Sequence, residues 1–144
     1  MRTTACALLG LLSVTAAGCR EGGPSARPGG FIAWETSETR AFERARAEAR
    51  PMFVHFTAVW CAACKELEEK TFSDPRVTAE AERFVALQID ATNDENPEVE
   101  AIKGKYKVAG LPTVIVRDRA GKEQKRVNEF IGPAEFAALL HGVE

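Results

Sequence analysis

A chain of 144 residues that is 45% hydrophobic has room for one globular domain with a real core, and is too short for two ordinary ones. Its 19 basic and 21 acidic residues leave a formal net charge of −2, with no long run of like charge. That balance excludes a charge-driven nucleic-acid partner.

Arg2 supplies a positive start, and Ala5 to Ala17 form an apolar stretch of signal-peptide length, too short to span a bilayer. Residues 1–18 are therefore expected to be an export signal outside the fold. The stretch Thr15-Ala16-Ala17-Gly18-Cys19 resembles a bacterial lipobox, in which small residues precede a cysteine that is lipidated and becomes the mature amino terminus. Ala16 stands where that pattern most often has leucine, and ordinary cleavage near Ala17 or Gly18 is the alternative. A lipidated Cys19 would hold the protein at a membrane. Residues 19–30, rich in Gly and Pro, bury too little surface to order themselves and read as a flexible tether. Residues 31–144 are left as the folded domain.

Phe31-Ile32-Ala33-Trp34 is short and apolar, suited to an edge strand or a plug on the domain. Thr36 or Ser37 can cap a helix to about Arg50, in which Ala41, Phe42, Ala45 and Ala49 recur at helical spacing. Pro51 ends it. Met52 to Thr57 reads as a strand buried on both faces, its apolar run broken by His55. A helix then runs from Cys61 through Lys70, with Leu67 and Phe72 turned inward. Ser73-Asp74-Pro75 breaks it and opens a short helix over Arg76 to Glu82. Phe84 to Asp90 is a second strand, Ala91 to Pro97 a polar loop, and Glu98 to Tyr106 a helix with Val99, Ile102 and Tyr106 as its apolar stripe. Val114 to Val116 forms a third strand, Asp118 to Gly121 a turn, and Glu123 to Phe130 a fourth strand antiparallel to the third. Gly132-Pro133 starts a terminal helix with Phe136, Ala137, Leu139 and Leu140 on its apolar face. This order predicts an α/β fold whose mixed central sheet, of about four to five strands, carries helices on both faces.

Of the four cysteines, Cys6 falls in the signal and Cys19 is the candidate lipid site, which leaves Cys61 and Cys64 to the domain. A bridge spanning two intervening residues would restrict the unfolded chain little, so the pair does not read as the structural staple of an exported domain. At a helix start the first sulfur meets unpaired backbone N–H groups and the positive end of the helix dipole, which favour thiolate. Cys61 is thus the candidate nucleophile, and Cys64 the sulfur that resolves the mixed disulfide. Zinc is the competing chemistry for this spacing, but no second Cys or His pair stands at ligand spacing, and no metal is expected.

Trp60-Cys61-Ala62-Ala63-Cys64-Lys65 after the first buried strand, with Leu111-Pro112-Thr113 before the third, resembles the thioredoxin superfamily over residues 35 to 142. Phe56 to Glu68, followed by Thr71-Phe72-Ser73-Asp74-Pro75-Arg76-Val77, is similar more specifically to the carboxy-terminal periplasmic domain of the DsbD thiol:disulfide interchange family. The resemblance implies a thioredoxin-like fold, Cys61 and Cys64 as the redox pair, no cofactor besides their disulfide, and Pro112 as a cis-proline facing them. It also implies that Trp60, Leu111, Pro112 and Thr113 form a docking surface for a partner's extended chain. Glu68 falls where these domains keep an acid beneath the disulfide, able to raise thiol pKa values and to relay a proton to or from Cys64. A solvated helix acid is the other reading of Glu68.

His55 departs from the family, which has an aspartate at that point. A neutral histidine there can pass a proton near Cys64, and a protonated one would favour thiolate and make the pair more oxidising. A core histidine satisfied by one backbone hydrogen bond would do neither. The expected function is an exported thiol:disulfide oxidoreductase that reduces protein disulfides on the periplasmic side of the bacterial cell envelope, with electrons from a membrane thiol reductase. A tethered peptide-binding or chaperone-like module without redox turnover is the alternative.

Overall fold

Residues 30–144 are described by the computed structural model, so the expected signal, nearly all of the expected tether and Cys19 lie outside the described residues. In chain order the elements are β1 (Trp34–Glu35), α1 (Glu38–Ala47), β2 (Met52–Thr57), α2 (Ala62–Glu66, continued by a π-helical turn over Leu67–Thr71), α3 (Pro75–Ala81), β3 (Val85–Asp90), α4 (Pro97–Tyr106), β4 (Thr113–Arg117), β5 (Glu123–Val127) and α5 (Pro133–His141). The sheet order is β1-β3-β2-β4-β5, with β1 and β2 parallel to β3, and β4 antiparallel to both β2 and β5. This mixed five-stranded sheet is the α/β architecture that the element order predicts.

β2 is buried from Met52 to Phe56 because it lies between β3 and β4 and is covered on both faces. The two-residue alternation of a strand sorts its side chains. Met52, Val54 and Phe56 join Ala41 and Ala45 of α1, Tyr106 of α4 and Ile115 on one face. Phe53 joins Leu67, Phe72, Val77, Phe136 and Leu140, brought by α2, α3 and α5, on the other. The entry to this layer is fixed by Arg50, whose guanidinium donates to the carbonyls of Glu82, Arg83 and Phe84 and so ties the start of β2 to the start of β3. On the other face, the Tyr106 hydroxyl donates to Glu38 at 2.6 Å and joins α4 to α1.

Several ends differ from the sequence expectation, each for a local reason. Phe31 is 94% exposed and so is not a plug; only Trp34 and Glu35 pair, beside Ala86 and Leu87 at the sheet edge. α1 starts at the Ser37 cap but stops at Ala47, and Ala49 takes a positive φ of 49° that turns the chain before Pro51. β5 ends at Val127 rather than Phe130 because its partner β4 begins only at Thr113, preceded by a proline with no N–H to donate. Cys61 is the cap of α2 rather than its first helical residue.

From Leu67 that helix widens: the Phe72 N–H bonds the Leu67 carbonyl at 2.9 Å, five residues back. In an α-helix, residues five apart point about 140° away from each other. The wider turn brings Leu67 and Phe72 to the same face, and both are buried in the core beside Phe53.

Phe53 is fully buried at the centre of this core, edge-to-face with Trp34, Phe84 and Phe136 at 5.4, 5.8 and 6.0 Å between ring centroids. Phe53→Ala is expected to lower unfolding stability by about 3–5 kcal/mol in urea titrations, with an unchanged m-value. A loss below about 1 kcal/mol would contradict this account of the core.

Candidate active site

β2 ends at Thr57, and the chain turns through Ala58, Val59 and Trp60 to reach Cys61. Because β2 and β3 run parallel, with Thr57 opposite Asp90, the loops that follow them leave the sheet at the same end. The loop after β3 holds the turn. The Val59 N–H donates to the Thr92 hydroxyl (3.1 Å) and the Trp60 indole N–H donates to the Thr92 carbonyl (3.0 Å). Thr92 is held in turn by its own N–H on Asp90 Oδ1 (2.8 Å). The Cys61 N–H closes the turn on the Ala58 carbonyl at 3.0 Å.

Cys61 and Cys64 form a disulfide with their Cα atoms 5.3 Å apart. Cys61 is 6% exposed and Cys64 is fully buried, so Cys61 is the sulfur that an incoming molecule reaches first. Its Sγ accepts the Cys64 N–H at 3.2 Å, which places this sulfur on the unpaired donors of the helix start. Ala58 and Leu111 pack against the pair. The Leu111–Pro112 peptide is cis, and Pro112 is buried.

Trp60 is 59% exposed, so it does not pack on the sheet; with exposed Val59 and half-buried Leu111 it makes an apolar rim beside the disulfide. Thr113 is buried, its hydroxyl donating to the Gly110 carbonyl at 2.7 Å and lying 3.2 Å from Asn128. Its side chain faces inward, leaving the backbone as its route to any partner.

Glu68 is half-buried, and its Oε1 accepts from the Thr57 hydroxyl at 3.0 Å and from the Gln88 amide at 3.2 Å. Its neighbours differ: Glu66 pairs with Lys70 at 2.6 Å on the surface, and Glu69 is exposed. The spacing of four residues puts Glu68 on the same helix face as Cys64.

His55 is fully buried, and neither ring nitrogen has a hydrogen-bond partner in the protein. Its ring lies against Phe72 (4.9 Å between centroids) and Trp34 (5.8 Å). Burial pushes its pKa down to about 4, so the ring is neutral near pH 7. The backbone hydrogen bond expected of a core histidine is absent, and burial disfavours the cationic ring.

Thr57, Gln88 and Thr92 were not singled out by the sequence, because their contacts arise from the register of β2 on β3, which no local pattern displays. Gln88 offered one clue, a polar side chain inside an otherwise apolar strand. Among the described residues, no group of three or more His, Cys, Asp or Glu is placed to hold a metal ion. No helix among them is long and apolar enough to cross a membrane.

A disulfide closed across one helical turn, carried at the end of a central parallel strand and set beside a cis-proline, is a thioredoxin-like arrangement of the kind that exchanges disulfides. The chain belongs to the thioredoxin-like domain family, whose model matches residues 39–144. It is 40% identical over 113 residues to the thiol:disulfide interchange protein DsbD of Salmonella paratyphi A, an alignment covering 77% of this chain and 20% of that protein. It is 39% identical over 98 residues to DsbD of Klebsiella pneumoniae subsp. pneumoniae, covering 67% and 16% respectively. The chain therefore spans only 16% to 20% of the length of these curated relatives.

Among solved structures it is similar to the oxidised C-terminal domain of Neisseria meningitidis DsbD, with 28% identity, a TM-score of 0.61, and 76% of this chain and 98% of that one covered. A thioredoxin from Thermus thermophilus matches with 28% identity, a TM-score of 0.65, and 75% and 83% covered.

The buried imidazole makes stability depend on pH. An unfolded histidine titrates near 6.5 and the folded one near 4, so between those values the unfolded chain binds more protons. The stabilisation is complete above the unfolded value and is lost as pH falls toward 4, by about 3 kcal/mol. Urea unfolding of wild type and His55→Leu at pH 7 and pH 4 is expected to show an acid loss smaller by that amount in the variant. Equal acid losses would mean that His55 is not held neutral by burial.

Proposed function

We propose that this protein is an exported thiol:disulfide oxidoreductase that reduces protein disulfides in the bacterial cell envelope. The observation that carries the reading is the Cys61–Cys64 pair at the start of α2, with the Cys61 sulfur on the Cys64 N–H and Leu111 packed against it. With the pair reduced, the helix-start N–H groups favour a Cys61 thiolate. That thiolate attacks one sulfur of a partner disulfide, and the bonding electron pair leaves on the partner's other sulfur, which takes up a proton. Cys64 then gives up its proton and attacks Cys61, releasing the second partner thiol and closing the Cys61–Cys64 bond. Glu68, on the Cys64 face of the helix, is the candidate acceptor of that proton.

The pair must next be reduced by another dithiol, and a membrane thiol reductase is the proposed donor. Trp60, Leu111, Pro112 and the backbone of Thr113 are the proposed docking surface for an extended partner chain. No cofactor is invoked beyond the disulfide. Residues 1–18 as a lipoprotein-type signal, residues 19–30 as a tether and a lipidated Cys19 would hold the domain 31–144 on the periplasmic side of a membrane; the residue pattern at Thr15 to Cys19 supports this.

Insulin reduction by dithiothreitol tests the chemistry. The wild-type chain is expected to accelerate it, while Cys61→Ser and Cys64→Ser lose nearly all of the acceleration. Equal rates in all three would sink the exchange reading and leave a tethered peptide-binding or chaperone-like module.

His55 enters as a neutral group where the family keeps a carboxylate. A negative charge introduced at this point of β2 would disfavour thiolate and so disfavour the reduced pair. His55→Asp is expected to lower the reduction potential, measured against glutathione, by on the order of 30 mV, or about 1.4 kcal/mol for a two-electron couple. An unchanged potential would leave His55 with a packing role alone.

A further inference from the structure

We propose that Thr57 and Gln88 are positioning residues, which hold the Glu68 carboxylate by one oxygen so that its other oxygen takes the Cys64 proton in the resolving step. This rests on the exchange reading above and assigns the groups that set one step of it.

Both hydrogen bonds to Glu68 converge on Oε1, one from the Thr57 hydroxyl at 3.0 Å and one from the Gln88 amide at 3.2 Å. A hydroxyl and an amide N–H that both donate make Oε1 an acceptor, so an arriving proton goes to Oε2. The two donors belong to neighbouring strands of one parallel pair, Thr57 opposite Asp90 and Gln88 opposite His55, so their separation is set by the sheet. They reach from the sheet to a residue on the helix that carries the sulfurs.

That helix leaves its α-helical path where Glu68 sits: the π-helical turn spans Leu67–Thr71. Glu66, on the regular part, meets Lys70 on the surface, whereas Glu68 meets neutral donors inside. The turn that leads from Cys64 to Glu68 is still α-helical, the Leu67 N–H bonding the Ala63 carbonyl, so the four-residue spacing keeps Glu68 on the side of the buried Cys64.

His55 does not compete for the role. Its ring packs on Phe72 and Trp34, and neither nitrogen contacts a donor or acceptor of the protein. In the proposed step the Cys64 S–H proton passes to Glu68 Oε2 as Cys64 Sγ bonds to Cys61 Sγ. The electron pair of the mixed disulfide leaves on the partner's sulfur, and Glu68 afterwards returns the proton to that thiolate or to solvent. Oxidation of the two cysteines balances reduction of the partner disulfide.

The test uses the full chain with Cys6→Ser and Cys19→Ser, so that only the pair reacts. The reduced protein is mixed with dithiobis(nitrobenzoate) at pH 7, and the two successive releases of nitrothiobenzoate are followed by stopped flow. The first reports attack by Cys61, the second attack by Cys64 on Cys61. Glu68→Gln, Thr57→Val and Gln88→Leu are each expected to slow the second release relative to the first by roughly 5- to 20-fold. Thr57→Ser, which keeps the hydroxyl, restores the rate to within about twofold, and adding Thr57→Val or Gln88→Leu to Glu68→Gln costs less than about twofold more. Slowing by Thr57→Val and Gln88→Leu that persists undiminished without the Glu68 carboxylate, or no slowing by either, would overturn the assignment. A wild-type chain that gives only the first release would instead sink the exchange reading itself.

Discussion

Two neighbouring strands that run parallel leave the sheet at the same end, and here those strands are β2 and β3, in register from Met52 opposite Val85 to Thr57 opposite Asp90. Helices cover both faces, so the register is strongly specified: a slip by one residue would move Phe53 and His55 onto the α1 and α4 side and send Val54 and Phe56 the other way. Everything at the site follows from that pairing. It puts Thr92 where it can hold Val59 and Trp60, and it puts Thr57 and Gln88 side by side beneath α2. β4 completes the frame from the opposite edge of β2, Thr113 pairing with Phe56, and so carries the Leu111–Pro112 peptide to the sulfurs.

The helix that bears the disulfide is clamped at both ends. At its start Cys61 is tied to Ala58, and at its far end the buried Thr71 hydroxyl donates to the Ile131 carbonyl at 2.6 Å. The π-helical turn between these points is a rare form of helix, and it persists because it buries Leu67, Thr71 and Phe72 together. A regular helix would turn one of the three toward solvent, leaving either a hole beside Phe53 or an unpaired carbonyl at Ile131. Packing therefore dictates the helix geometry, and the helix geometry dictates where Glu68 points.

Local chemistry made most of the architecture legible in the sequence. Apolar runs marked β2 and β3, and Ser37, Asp74 and Pro75 marked helix starts at which the structure places caps or first turns. The cysteine pair was legible as chemistry from its spacing and count, while the cis peptide at Pro112 came only through resemblance to a family. What could not be read arises from contacts distant in sequence. The end of β5 depends on where β4 begins, the π-helical turn on what Leu67 and Phe72 meet across the core, and the Glu68 anchor on which residue of β3 lies beside β2. His55 was legible as an anomaly but not in its surroundings, because Trp34 and Phe72 come to it from opposite directions along the chain.

Those surroundings bear on the charge of the site. A buried polar group without a partner costs roughly 1–3 kcal/mol, so an imidazole boxed by aromatic rings stabilises this core less than an apolar side chain of equal size would. It differs from an aspartate in charge: a neutral ring adds none to β2, whereas an ionised carboxylate would add a negative one. Glu68 is then the acid fixed by hydrogen bonds on the sulfur-bearing face of α2, and it sits there with neutral donors rather than with a cation.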